Sequence, residues 1–163
     1  MKGVVNIEFI FSVFIFTVTI IFVLISLASS LAPLHKDAVT DSVRSKVYQM
    51  SELLLFDEGD PKNWQAIPSI NSINRIGLST GEKYSISQGK ITKLQALCNT
   101  NYADVVKRFF GDESLRLEIE ITNSAGLEIL DCGVVGNPQF SIKRTAFIDS
   151  TKEIVEINIA VKK

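Results

Sequence analysis

The chain has 163 residues, 46% of them hydrophobic and 21% charged, with 17 basic side chains against 18 acidic ones. That length holds one domain and an appendage, and a net charge of −1 lacks the basic excess that phosphate binding needs, so nucleic acid is excluded as the main partner. Mean hydropathy is +0.22, too high for an average cytosolic enzyme, and the excess is concentrated: no charged side chain lies between Glu8 and His35.

Residues 9–34 are apolar all round a helix rather than along one stripe, so lipid or copies of the same helix must surround them. At about 1.5 Å per residue they make roughly 39 Å of helix, more than the roughly 30 Å hydrocarbon core of a bilayer. Three readings compete. A cleaved secretory signal has an apolar region of about 7–15 residues, shorter than this one, and Pro33 would directly follow the candidate cleavage site Ser30-Leu31-Ala32. A plain single-span anchor fits the length, but Lys2 on one side and Lys36, Arg44 and Lys46 on the other leave its orientation open.

The third reading starts from Glu8. A carboxylate at the head of such a run costs roughly 2–3 kcal/mol if it reaches the hydrocarbon centre, and an ionisable group in that place has a partner as a rule. The stretch Met1-Lys2-Gly3-Val4-Val5-Asn6-Ile7-Glu8-Phe9 puts a basic residue and a glycine before the apolar run, with Glu8 fifth when Val4 is first. This resembles the type IV prepilin signature, and the Phe-rich helix resembles the archaeal branch. The resemblance implies a leader of residues 1–3 cut after Gly3 by a membrane prepilin peptidase, with Val4 as the new terminus. It also implies a transmembrane and filament-core helix over residues 4–34 and an extracytoplasmic head over 35–163. Glu8 would pair with the N-terminal amine of a neighbouring subunit.

Pro33 lacks an amide donor and clashes with the preceding turn, which predicts a kink or a restart. Beyond it, Val39, Val43, Val47, Met50 and Leu54 recur at spacings of four, four, three and four, one helical face. The stripe lasts under three heptads, which favours packing on the chain's own sheet over a coiled coil. Gly59 and Pro61 supply the stop near residue 55. Gly59-Asp60-Pro61-Lys62-Asn63-Trp64 and then Arg75-Ile76-Gly77-Leu78 resemble an element of archaeal pilin-like proteins. Trp64 is expected to cover the end of the long helix; a sugar-stacking platform is its functional alternative.

Residues 91–97 and 102–110 read as two short helices closed by Gly111. From residue 115 the period becomes two: Leu117, Ile119 and Ile121 alternate with Arg116, Glu118 and Glu120, a half-buried strand. Asn123-Ser124-Ala125-Gly126 turns the chain into a second strand over 127–132. A third covers 140–148, and Asp149-Ser150-Thr151-Lys152 leads to a fourth in which Val155, Ile157, Ile159 and Val161 face one way. The expected class is α+β, a long helix kinked near Pro33 whose C-terminal half packs on a four-stranded antiparallel meander with short helices.

Candidate chemistry is sparse, and the expectation is that the protein is not an enzyme and takes no cofactor. His35 is the single histidine. Ser87-Gln88-Gly89-Lys90 has the S-x-x-K spacing of Ser–Lys acyl enzymes without the companion motifs. Asp57, Asp60 and Asn63 offer oxygen ligands for a hard cation, though not in EF-hand order, and a solvated turn is the simpler reading. No N-x-[ST] acceptor occurs. If the head faces outward, Cys98 and Cys132 lie where disulfides persist; they form either a bridge or two separate buried thiols.

The resemblance implies a structural subunit, a pilin or pseudopilin of an archaeal type IV pilus-like surface filament or of a secretion or adhesion complex. Its partners would be the membrane, the prepilin peptidase and other pilin-like subunits. The alternative is a single-span, membrane-anchored extracytoplasmic binding or sensor domain that does not polymerise.

Overall fold

The computed structural model describes residues 7–111 and 115–162; of residues 30–39 it describes the backbone only. The chain divides after Asp41 into two compact units. The described part of the first is helix. The second, from Ser42 onward, holds the end of that helix, a second helix and the sheet.

Helix α1 spans Ile7–Phe56. Of the expected stripe, Val43, Val47, Met50 and Leu54 are buried, and the side chain of Val39 lies outside the described residues. The kink expected at Pro33 falls among the residues whose side chains are not described; the backbone there is helical throughout. Helix α2 spans Gln88–Phe110 and joins the two short helices of the sequence pattern across one non-helical residue, Asn101. It ends at Gly111, whose left-handed backbone (φ 67°) carries an amide bonded back to the Lys107 carbonyl, the usual way a helix is closed by glycine.

Five strands follow the chain: β1 Ser85–Ile86, β2 Arg116–Asn123, β3 Glu128–Cys132, β4 Phe140–Ile148 and β5 Ile154–Lys162. Their order in the sheet is β1-β4-β5-β2-β3. All neighbours are antiparallel except β1, which runs parallel to β4. Two expectations are thereby corrected. The sheet is a mixed one of five strands, not an antiparallel one of four, and it is not a meander, because β3 and β4 are not neighbours.

The reason lies in burial. Strands β2 and β5 carry the most apolar inner faces, and they pair with each other in the centre, with Leu117 opposite Val161, Ile119 opposite Ile159 and Ile121 opposite Ile157. Each such side chain is fully buried, and full burial stabilises each by about 1.5–3 kcal/mol. The short β3, and β4 with Arg144 on its inner face, lie on either side of this pair, and the two-residue β1 lies beyond β4.

Residues 133–139 therefore have to cross from β3, past β2 and β5, to β4. Tyr102 makes the exit. Its hydroxyl accepts from the Leu117 amide at 2.8 Å and donates to the Leu117 carbonyl at 2.6 Å. That replaces the next ladder step beyond the Ile119–Cys132 pair, and the chain turns away at Gly133 (φ 85°), where a Cβ would strike Tyr102. The Glu118 carboxylate then holds the crossing segment through the Val135 amide at 2.6 Å. One apolar cluster unites the head portion of α1, α2 and the inner face of the sheet.

Candidate functional site

Two regions carried the sequence expectations: the apolar part of α1, and the turn that follows α1. Ile7–Ser29 is long and apolar enough to cross a membrane, with a mean hydropathy of 2.8 and its apolar side chains exposed among the described residues. At about 1.5 Å per residue its 23 residues reach about 35 Å. Its hydroxyls are bonded within the helix: Ser12 donates to the Glu8 carbonyl at 2.9 Å, and Thr17 and Thr19 to the Val13 and Ile15 carbonyls at 2.8 Å. Ser29 donates to the Ser26 carbonyl at 2.9 Å. Lipid can therefore surround these residues without stranding a hydroxyl.

Glu8 lies in the first turn of α1, where the amide dipoles favour a negative charge. Among the described residues no cation pairs with its carboxylate. Gly3 and Val4 lie outside the described residues, as does the side chain of His35.

The turn after α1 is built from the glycine–tryptophan signature. The last carbonyls of a helix need donors from elsewhere; here the Leu78 amide donates to the Leu54 carbonyl at 2.9 Å and the Ser79 amide to that of Asp57 at 3.1 Å. The segment can come this close because Gly77 has no Cβ: one placed there would collide with the Asp57 backbone. Trp64 is fully buried, and its indole N–H donates to the Gly77 carbonyl at 2.9 Å. Its ring sits against Gly59 (φ 85°), where a Cβ would come within 2.5 Å of Trp64 Cδ1. Trp64 thus locks the segment that seals the helix, and its burial leaves no face for a sugar.

The acidic residues of the turn are met by the chain's own side chains. Asp57 pairs with Arg75 at 2.6 Å and accepts the Gly59 amide at 2.7 Å. Glu58 pairs with Lys62 at 3.0 Å, and Asp60 accepts from the Asn74 side chain at 3.0 Å. Asn63 precedes the short helix Trp64–Ala66 and makes no side-chain capping bond. Beneath them the buried Lys90 ammonium donates to the carbonyls of Glu58 and Ser79, both at 2.7 Å. Burial pushes this lysine below its usual range, against the opposing pull of the Glu58 and Asp57 carboxylates. Among the described residues no group of three or more His, Cys, Asp or Glu is placed to hold a metal. An open trough of about 840 Å³ runs beside the turn, lined by Leu53, Phe56, Asp57, Lys62 and Arg75 among others.

Lys90 is the one residue of the S-x-x-K match with a defined task, and that task is bonding backbone carbonyls. Ser87 stands at the N-cap of α2 without a side-chain capping bond.

Cys98 and Cys132 are bridged, with a Cα–Cα distance of 5.3 Å, and so join α2 to β3. One turn before Cys98, the Gln95 amide covers the free edge of β3: it donates to the Asp131 carbonyl at 2.7 Å and accepts the Asp131 amide at 2.8 Å. Arg144, on the inner side of β4, bonds the Ser51 hydroxyl at 3.3 Å and the Glu52 carboxylate at 2.8 Å, and lies over the Tyr48 ring. Sequence reasoning missed Gln95, Tyr102 and Arg144. Only Arg144 had a signal, a charge in register with the apolar Phe140, Ile142, Ala146 and Ile148.

No family model, curated protein or solved structure matches the chain.

Proposed function

We propose that this chain is a structural subunit, a pilin or pseudopilin, of an archaeal type IV pilus-like filament or secretion or adhesion complex. One observation carries the reading. A membrane-length apolar helical segment, exposed among the described residues, begins with Glu8 in its first turn, five residues after Gly3. An acidic side chain at the head of such a segment calls for a counter-charge. Two unit charges about 4 Å apart attract by about 4 kcal/mol at an effective dielectric near 20, so a neighbouring subunit's terminal amine at Val4 would offset the cost of placing either charge in lipid. In this reading a prepilin peptidase cuts after Gly3, residues 4–34 enter the membrane and later the assembly, and the head faces outward.

Intact mass of the protein extracted from its own membranes tests the first step. A chain starting at Val4, lost when Gly3 is replaced by Leu, is the expected result. A chain that keeps residues 1–3 would overturn the processing step and return the protein to a single-span anchored domain. Glu8→Ala tests the second step: it is expected to abolish pelletable assemblies while the head stays folded. Normal assembly of that variant would remove Glu8 from the interface.

A further inference from the structure

We draw no further inference here: the strongest candidate, the trough between α1 and the open edge of β4 lined by Glu52, Phe56, Tyr84, Lys143 and Thr145, carries nothing because Glu52 and Lys143 are already paired within the chain and nothing in the structure shows what covers it.

Discussion

Gly77 is where the end of α1 and the segment that seals it come closest. An alanine there would put a methyl group onto the Asp57 backbone, which cannot retreat without loosening the Ser79–Asp57 and Leu78–Leu54 bonds. Gly77→Ala should therefore cost about 1–3 kcal/mol, the range for overpacking a close contact, read as a lower urea midpoint. Lys90 works by hydrogen bonding. Lys90→Met leaves the Glu58 and Ser79 carbonyls without this donor, at about 1–3 kcal/mol. Because burial lowers this lysine's pKa in the folded state, the unfolded chain binds more protons just below the ordinary lysine range, and stability there rises with pH. Lys143 has the opposite sign: Glu156 raises its pKa, so its contribution is present below that range and lost as pH climbs through the raised value. Subtracting Lys90→Met from the parent isolates the first effect. The stability gap should widen as pH climbs toward the ordinary lysine range, and a flat gap would contradict the assignment. At this scale Gly59, Trp64 and Gly77 were legible as a signature, because close backbone approach selects glycine. The roles of Gln95 and Tyr102 were not, since each completes a hydrogen bond to a residue more than a dozen positions away.

At the level of elements, the Cys98–Cys132 bridge staples α2 to the flank strand β3. It closes a loop with a sequence separation of 34, worth about 3–4 kcal/mol by the chain-entropy account. Replacing both cysteines by alanine should lower head stability by about that amount, measured by denaturant unfolding against the oxidised parent; no change would mean the bridge constrains little in the unfolded chain. The face of α1 and the strands β2 and β5 were readable because each repeats a period of 3.6 or 2. Strand β3 was placed by the turn before it, Phe140–Ile148 agrees with its expected bounds, and α2 was expected as two short helices. Strand β1 has only two residues and no period to read. Strand order escaped for another reason: alternation says which face is buried, not which strand lies beside it. The available clue to the centre was the inner faces: aliphatic at Leu117, Ile119 and Ile121 and at Val155, Ile157, Ile159 and Val161, but interrupted by Arg144 in β4.

For the molecule as a whole, the division after Asp41 makes a further claim testable. The buried residues of α1 begin at Val43 among those described, so a chain starting at Ser42 retains every described α1 side chain that enters the core. Residues 42–163 should fold alone as a monomer with one cooperative transition, and its midpoint should match that of the head within the full chain in detergent. A broad, non-cooperative transition would show that the head depends on what precedes it. The membrane-length segment was fully legible, because an uninterrupted apolar run needs no partner to be recognised. Its neighbours in an assembly are contributed by other molecules, and one sequence does not identify them.

The position of β5 also constrains when the head can form. It follows every other strand in the sequence, yet it is hydrogen-bonded on both sides, to β2 and to β4. While the chain is being delivered, the β2–β3 hairpin must wait with Leu117, Ile119 and Ile121 lacking their central partner. No native-like sheet can close until Ile154–Lys162 has emerged. During that interval the unpaired β2 edge is the place where a wrong partner, or a chaperone, would take hold.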